Sequence, residues 1–459
     1  MAPRAAAEAQ AVNDATGGAG GDGGTGGADL CAGVSCADTE CKTDGSCDAS
    51  DSVCDYTPIA DGTPCSEGEC RDGACAPIGA FPCTEQGIRD AIAEGGGPHF
   101  FACDGPTTVV AEADIVIDND VILDGEGELT VHADSDMDRD QFVVAANITA
   151  ELRGFEVIEA ETGILNLGTL TVMRCTVSGN ARWGILNDGE LWVADSTLLG
   201  NRIGLDKGVW HTNTTATATV TNSARQGNGG GTDLGSSAIL NWGTLSLTNC
   251  TVTDNACFNA TISNYGTLAV TNSTVSENTS RGVGGIRNGG KLTLANSIVS
   301  GTTSNVSAST YISAAIFAYG LGPVTVTVTH STVAGNEGGG IYYRGGGSPT
   351  VTGSLIVGDC VLAGVTGSTV STGYNIESPL DTCGFDQPTD AVNVSAEALA
   401  LAPLAENGGP TEAHALLPGS IAIDAIPEAM CEMDEDQRGE PRPGGTICDA
   451  GAFEVQPEP

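Results

Sequence analysis

Two acidic side chains occupy the same position in a repeated sequence pattern. Asp254 and Glu277 end the strings TVTD and TVSE, which align with each other. If successive repeats stack at the ~4.8 Å spacing of neighbouring strands, the two carboxylates lie about 5 Å apart. A retaining glycosidase needs two carboxyl groups at that separation. Exposed acids on a very acidic chain also meet in this way without any function, so we assign no catalytic residue.

Two aromatic residues share another position of the repeat. Trp242 and Tyr265 come directly after Asn241 and Asn264. Outward aromatic rings about 5 Å apart can form a platform for a sugar ring. The alternative is that both rings fill a turn. Trp242 and Tyr265 are our candidate binding residues, with a polysaccharide or a cell-surface glycan as the partner.

An acidic run and five histidines are the candidates for metal or acid–base chemistry. The run DSDMDRD offers carboxylate oxygens, which calcium prefers, but it lacks the Gly and the distal Glu of a helix-loop-helix calcium loop. A solvated acidic loop is the alternative, so we predict no metal site and no cofactor, with calcium left open. Nothing pairs a nucleophile with a base. The acids are Asp134, Asp136, Asp138 and Asp140, and the histidines are His99, His132, His211, His330 and His414.

The candidate residues belong to a pattern that recurs through residues 152–357. Strings such as LTVMRCTVSGN and LAVTNSTVSEN align on one small residue, at steps of 21 to 34 residues. Apolar residues alternate with Thr, Ser and Asn inside each repeat, which is typical of strands, and such a period indicates stacked units. We predict a parallel β-helix; a leucine-rich solenoid is the competitor, but its Leu-x-x-Leu-x-Leu consensus is absent. The small residues are Cys175, Ser196, Ser223, Cys250, Ser273, Ser297, Ser331 and Ser354.

Apolar and Asn columns flank the aligned small residue, and each column predicts a structural role. Val172 and its equivalents lie three residues earlier, Val177 and its equivalents lie two residues later, and only Arg225 breaks the apolar pattern. Asn222, Asn249, Asn272 and Asn296 precede the small residue, at a bend where Asn tolerates a left-handed backbone. Other Asn columns open and close the repeats, and we expect them to hydrogen-bond along the stack as ladders.

The cysteines predict disulfides and export. Eight cysteines lie within residues 31–75 and indicate a disulfide scaffold. A zinc site is the alternative, but this segment contains no Cys-x-x-Cys pair and no His. Further on we expect the pairs Cys83–Cys103, Cys250–Cys257, Cys360–Cys383 and Cys431–Cys448. Cys175 and Cys250 lie three coils apart, roughly 14 Å, which is too far for a bond. Because the chain has 17 cysteines, one is left over, and we predict that it is Cys175.

Composition narrows the partners and the location. Lys and Arg number 17 against 59 Asp and Glu, a net charge of −42, which argues against nucleic acid and anionic membrane surfaces. No apolar run reaches 18 residues, so we predict no transmembrane helix, and we expect a monomer. Residues 1–30 show no apolar signal core, so export, to the cell surface or outside the cell, is inferred from the cysteines.

The sequence divides into five predicted segments. We predict a flexible Gly-rich tether over residues 1–30 and a Cys-rich module over 31–79. An N-terminal cap and the first coils follow over 80–150, with a short helix in CTEQGIRDAIAEG that puts Ile88, Ala91 and Ile92 on one face. Regular coils occupy 151–365, and C-terminal coils with a cap occupy 366–459.

The C-terminal region carries a family resemblance. The strings LAPLAENGGPTEAHALLPGSIAIDA (401–425) and DEDQRGEPRPGGTICDAGAFE (434–454) resemble the C-terminal signature of choice-of-anchor Q bacterial surface proteins. The coils are similar to those of polymorphic outer-membrane and pectate-lyase-like β-helices. Within the signature we expect Arg438 or Arg442 to pair with Asp434, Glu435 or Asp436 and fix the last coil.

The resemblance implies a secreted or surface-exposed right-handed β-helix and supplies no activity. Family members carry an anchor after the signature, whereas this chain ends at VQPEP, so we expect any tether, such as that of an outer-membrane lipoprotein, at the N-terminus. We therefore expect an all-β, right-handed, single-stranded solenoid with a structural, adhesive or glycan-contacting role. The alternative is a polysaccharide lyase or glycoside hydrolase with a diverged active site.

Overall fold

A computed structural model describes most of the chain, and its residues fall into two compact units. One unit comprises residues 1–82 and 100–105, the other residues 83–99 and 106–459. Asp134, Asp136 and Asp138 lie outside the described residues. The described residues are 42–47, 54–59, 63–65, 68–71, 74–76, 79–133, 139–201, 210–212, 215–228, 237–304, 314–320, 324–344, 348–363 and 369–457.

The larger unit is a parallel β-helix whose coils each contribute three main strands. Apolar and polar residues alternate along these strands, so the apolar side of each strand faces inwards. The first strands of successive coils form face A, a parallel sheet of eleven strands. Face A consists of Ile115–Ile117, Asp140–Val144, Thr162–Asn166, Trp183–Asn187, Trp210–Thr212, Ile239–Asn241, Ala260–Asn264, Val283–Asn288, Ile316–Tyr319, Ile341–Arg344 and Val361–Leu362.

The second and third strands of each coil form faces B and C, which meet at a bend. Val121–Ala133 and Thr149–Ile158 run through the bend and belong to both faces. Face B continues with Thr169–Met173, Glu190–Ala194, Thr217–Thr221, Thr244–Thr248, Thr267–Thr271, Lys291–Ala295, Thr325–Thr329, Thr350–Thr352 and Val370–Ser371. Face C begins with Thr107–Ala111 and continues with Thr176–Ser178, Thr197–Leu199, Ala224–Gln226, Thr251–Thr253, Thr274–Ser276, Ile298–Ser300, Thr332–Ala334, Leu355–Val357 and Ile376–Ser378.

The predicted register is confirmed. Val172 pairs with Val193, and the same column continues coil by coil to Val351. The column that starts at Val177 continues through Arg225 to Ile356. Each coil therefore places its aliphatic side chains on those of the next, and these inward residues are almost fully buried.

Buried Asn side chains join the coils, as the sequence predicted, and buried Ser side chains do so as well. Asn255 Nδ2 donates to Asn278 Oδ1 over 2.8 Å, and Asn241 Nδ2 donates to Asn264 Oδ1 over 2.7 Å. The backbone N–H of Cys175 donates to Ser196 Oγ over 3.1 Å. At the bend the four predicted left-handed residues have positive φ angles: Asn222 48°, Asn249 53°, Asn272 49° and Asn296 49°.

Further elements close the two ends of the stack. The helix Glu85–Glu94 begins after Thr84, whose hydroxyl accepts from Gly87 N–H, and buries Ile88, Ala91 and Ile92 as predicted. Among the described residues no helix has the length and apolar character needed to cross a membrane.

Short strands Ala256–Cys257, Thr279–Ser280 and Thr303–Ser304 form a small parallel sheet, and the helix Ala396–Leu399 follows the last coil.

Residues 401–457, here called the C-terminal strap, run back along face C. Gln437 Nε2 donates to Thr274 Oγ1 over 2.6 Å, and Ala452 N–H donates to Thr332 Oγ1 over 3.1 Å. Ala413 and Ala452 pack on Ile298. The strap thus docks across several coils. Its elements are the antiparallel strands Leu401–Ala405 and Ala413–Leu416, the antiparallel strands Ile426–Pro427 and Ile447–Cys448, and the 3-10 turn Glu428–Met430.

The structure corrects one predicted disulfide. Cys360 is bonded to Cys383 and Cys431 to Cys448, as the sequence predicted. The predicted Cys250–Cys257 bond is wrong, because both residues carry thiols. Cys250 lies in the buried Cys–Ser column at the bend, whereas Cys257 lies beyond the face C strand and pairs with Ser280. Cys175 also carries a buried thiol, and Cys83 and Cys103 are each disulfide-bonded.

The smaller unit contains short strands within the Cys-rich segment. Lys42–Cys47 pairs antiparallel with Cys54–Pro58, and Pro64–Cys65, Gly68–Arg71 and Ala74–Ala76 form a three-stranded antiparallel sheet. Phe81–Pro82 pairs with the end of Gly96–Ala102. Cys65 is disulfide-bonded, whereas Cys31, Cys36 and Cys41 lie outside the described residues.

Candidate functional site

Trp242 and Tyr265 form a stack at the turn between faces A and B. Their ring centroids lie 4.3 Å apart at an interplanar angle of 18°. The Arg287 guanidinium lies over the Tyr265 ring at 5.6 Å from the centroid, and its Nη1 donates to the Tyr265 hydroxyl over 2.9 Å. Rings stacked in this way cover each other, so the stack offers ring edges and one face of Trp242 rather than a continuous platform. Trp242 is 41% exposed.

The turns that carry these rings stack very closely. A Cβ on Gly266 would lie 2.0 Å from Gly243 O, and one on Gly290 would lie 2.1 Å from Gly266 O. Only glycine fits such an approach. The Asn-x-Gly turns therefore hold Trp242 and Tyr265 at a fixed distance.

More aromatic and basic side chains continue this surface along face A. Phe317 is the neighbour of Arg287 in the sheet and stacks on Tyr342, with ring centroids 5.1 Å apart. The Arg344 guanidinium lies 5.8 Å from the centroid of Tyr319, which is 39% exposed. Tyr342 lies on the next coil and is buried. We call the following set the aromatic–arginine strip: Trp242, Tyr265, Arg287, Phe317, Tyr319 and Arg344.

A second candidate surface, here called the acidic groove, lies where the strap meets face C. Its volume is about 700 Å³. Asp254 and Glu277, with φ angles of 54° and 52°, project from adjacent coils, and Gln226 Nε2 donates to Asp254 Oδ2 over 3.0 Å. The described residues that line the groove are Gln226, Thr251, Thr253, Asp254, Glu277, Glu406, Gly408, Gly409, Pro410, Thr411 and Glu412.

The carboxylates of the groove affect each other. Burial raises the pKa of Glu412, and the negative charges of Glu277, Glu406 and Asp254 raise it further. A carboxyl group with a raised pKa is suited to hold a proton that it can donate. None of the described lining residues is a His, Lys, Arg or aromatic residue. These residues therefore supply no basic side chain and no aromatic ring on which a sugar could stack.

The two surfaces lie apart on the coil. Trp242 precedes the face B strand Thr244–Thr248, whereas Asp254 follows the face C strand Thr251–Thr253. Two strands and the bend separate the aromatic ring from the carboxylate within one coil. The structure therefore brings Trp242 together with Tyr265, and Asp254 together with Glu277, but does not bring the two pairs into one groove.

The residues of the C-terminal signature form a buried ionic network within the strap. Arg438 pairs with Asp436 over 2.7 Å and lies 3.7 Å from the centroid of Phe453. Arg442 lies 3.3 Å from the carboxylate of Glu454, rather than pairing with an acid in 434–436. Burial raises the pKa of Glu454 and lowers that of Arg442. These contacts fold the strap on itself, which is a structural use of the signature.

His330 and His414 are buried and hydrogen-bonded. His414 Nε2 hydrogen-bonds Ser300 Oγ over 2.8 Å, and His330 Nε2 accepts from the Glu432 N–H over 3.4 Å. In the described part of the chain, no group of three or more His, Cys, Asp or Glu side chains is arranged to hold a metal ion. Calcium at the run that ends with Asp140 was left open by the sequence and stays untested, because Asp134, Asp136 and Asp138 lie outside the described residues.

Sequence reasoning missed two parts of these surfaces. Phe317 and Tyr319 follow a long insertion, which hid the return of the face A strand at Ile316–Tyr319. The signal was present, because Ile316 continues the column of Ile286. Glu406 and Glu412 reach the groove only through the folding of the strap, and no periodicity could reveal that.

A comparison with protein families supports the fold. A family model described as a right-handed beta helix region matches residues 237–356. No curated protein matches the chain. Among solved structures, the crystal structure of pectate lyase Pel9A is similar, with 15% sequence identity, a TM-score of 0.42, and coverage of 80% of this chain and 90% of that one. The chain is an all-β, right-handed parallel β-helix.

Proposed function

We propose that this protein is an exported β-helix that contacts glycans through the aromatic–arginine strip. The observation that carries the proposal is the exposed Trp242 ring, which Tyr265 and Arg287 support from behind. A supported ring loses little conformational entropy when a ligand covers it. Aromatic residues make up only 4% of the chain, so their gathering over adjacent coils favours a binding surface.

The proposed location rests on the disulfides. Cys360–Cys383 and Cys431–Cys448 staple the C-terminal part, and disulfides of this kind persist in oxidising compartments. A rigid stack of coils with its ladders of Asn also suits a structural or adhesive role outside the cell, where it would hold the strip in a fixed geometry.

Binding to a panel of immobilised polysaccharides tests the proposal. Trp242→Ala is expected to weaken retention about tenfold, the loss that corresponds to ~1.4 kcal/mol of binding free energy. Trp192→Ala is the matched control, because Trp192 is 39% exposed but lies on face B, away from the strip. Equal loss in both variants, or no retention of the wild-type protein on any polysaccharide, would refute the proposal.

Glycoside hydrolysis in the acidic groove is a second candidate. The raised pKa of Glu412 beside Asp254 and Glu277 favours it, since such an enzyme needs one protonated and one ionised carboxyl group. Release of reducing ends from the same polysaccharides is the measurement, with Glu412→Gln and Glu277→Gln as the variants. Turnover that both substitutions abolish would establish hydrolysis; turnover that survives both would exclude the groove as its site.

A further inference from the structure

Within the described part of the β-helix, four basic residues that form no ion pair with a described carboxylate lie in one region. Six other described arginines pair with acids: Arg89 with Glu85, Arg153 with Glu151, Arg174 with Asp124, Arg182 with Glu161, Arg438 with Asp436, and Arg442 with Glu454. Four described basic residues, Arg281, Arg287, Lys291 and Arg344, form no ion pair with a described carboxylate. All four lie between residues 281 and 344. In a chain with 59 acids and 17 bases, this segregation is unexpected.

Arg287 is held with part of its guanidinium available. Its Nη1 donates to Tyr265 Oη over 2.9 Å and to Asn259 Oδ1 over 3.2 Å. Its Nε and Nη2 make no hydrogen bond to a described residue. These two nitrogens form the edge of the guanidinium that binds a carboxylate or sulfate through two parallel hydrogen bonds.

Arg344 extends the same charge along the stack. It lies two coils beyond Arg287, at roughly 10 Å along the axis, and is exposed beside Tyr319. Phe317 lies on the coil between them. The strip therefore alternates rings, which suit the faces of sugar rings, with guanidinium groups, which suit anions.

We infer that the aromatic–arginine strip recognises an anionic polysaccharide, with Arg287 and Arg344 binding carboxylate or sulfate groups on successive sugars. This inference rests on the proposed glycan-contacting function and deepens it. The net charge of −42 repels polyanions at long range, but at physiological salt the Debye length is about 8 Å. A polymer at the strip therefore interacts mainly with the local arginines. Double-stranded nucleic acid has no exposed sugar face for Trp242 to cover, and so fits the strip less well.

Paired polymers that differ only in charge test the inference. The purified full chain is assayed against a uronic-acid polysaccharide and its carboxyl-reduced form, and against a sulfated polysaccharide and its desulfated form. Double-stranded DNA of similar length is a further arm. We expect at least about tenfold tighter binding to one charged polymer than to its uncharged counterpart, and the pair that shows it identifies the anion.

Variants locate the effect. Arg287→Gln with Arg344→Gln is expected to remove most of the preference for the charged polymer. The preference is the ratio of the affinities of one variant for the charged and the uncharged polymer, so a loss of support for the Trp242 ring, which weakens both, cancels. Arg287→Lys with Arg344→Lys keeps the charge and should retain part of the preference. Arg182→Gln is the matched control, because Arg182 also lies over an aromatic ring but pairs with Glu161, and it should leave the preference unchanged.

Each outcome bears on the inference. Equal binding of charged and uncharged polymers overturns it but leaves the proposed function standing, whereas binding of no polysaccharide overturns both. A preference for charged polymer that survives the double Gln substitution places the anion site elsewhere and also overturns it. Tighter binding of DNA than of every polysaccharide overturns the choice of partner.

Discussion

At the scale of single residues, the buried Asn ladder holds neighbouring coils together. Asn278 Oδ1 accepts from both Asn255 N–H and Asn255 Nδ2, and Asn278 Nδ2 donates to Val252 O over 2.8 Å. Asn278→Ala removes these bonds and leaves buried polar groups without partners, so the unfolding free energy should fall by about 2–3 kcal/mol. Chemical denaturation measures the change. Thr248→Ala, on the outward side of face B, is the control and should cost under about 1 kcal/mol; an equal loss in both variants would contradict the ladder's role.

The buried thiols make a second prediction at this scale. Burial raises the pKa of Cys175 to about 11 and that of Cys257 to about 12, so both stay protonated and unreactive at neutral pH. An alkylating reagent should leave peptides that contain Cys175, Cys250 and Cys257 unlabelled in the native protein. All three should be labelled after unfolding without reductant. A disulfide-linked peptide pair that contains Cys250 and Cys257 would contradict the structure.

At the scale of elements, we expect His330 to make the stability of the protein with its docked strap depend on pH. It lies at the bend, in the column of Asn272 and Asn296, and meets the strap at Glu432. Burial, with a smaller contribution from the charge of Arg442, lowers the pKa of His330 from 6.5 to about 3. The neutral form is therefore favoured in the folded state. Its stabilising contribution is complete above pH 6.5 and is lost as the pH falls towards 3.

His330→Asn isolates this effect, because Asn occupies the same left-handed position in the neighbouring coils. On acidification from pH 7 to pH 4.5 the wild type should lose about 2.5 kcal/mol more than the variant. Asp449 and Glu454, whose pKa values burial raises, act in the opposite direction but are present in both proteins. Denaturation curves at the two pH values supply the comparison. Parallel loss of stability in wild type and variant would show that His330 does not titrate in this range.

The elements also show which parts of the fold a sequence can predict. The columns from Val172 to Val351 recur at nearly constant spacing, so alignment gives coil, register and facing side together. The contacts of the strap join residues far apart, such as Thr274 with Gln437, and no local pattern encodes them. The Cys250–Cys257 prediction failed for a related reason, because seven residues suffice to leave face C and turn towards face A. Of the candidate site, the Trp242–Tyr265 pair followed from the repeat, whereas its arginines depended on contacts between coils.

At the scale of the whole molecule, excess negative charge opposes folding. With 59 acidic and 17 basic residues, most carboxylates have no basic partner, and their mutual repulsion is larger in the folded chain than in the expanded one. Sodium chloride shortens the Debye length from about 30 Å at 0.01 M to about 10 Å at 0.1 M, so it should stabilise the protein.

Thermal unfolding tests this effect of charge. We expect the midpoint to rise by about 2–5 °C between 0.01 M and 0.3 M sodium chloride, because a gain of ~1 kcal/mol raises the midpoint of a large domain by a few degrees. Potassium chloride is the control and should give the same rise at the same ionic strength, since screening does not depend on which ion supplies it. Above physiological ionic strength, where the long-range repulsion is already screened, further salt should weaken binding of a charged polymer at Arg287 and Arg344. A midpoint that is independent of salt would mean that counterions bound to the acidic surface already neutralise the repulsion.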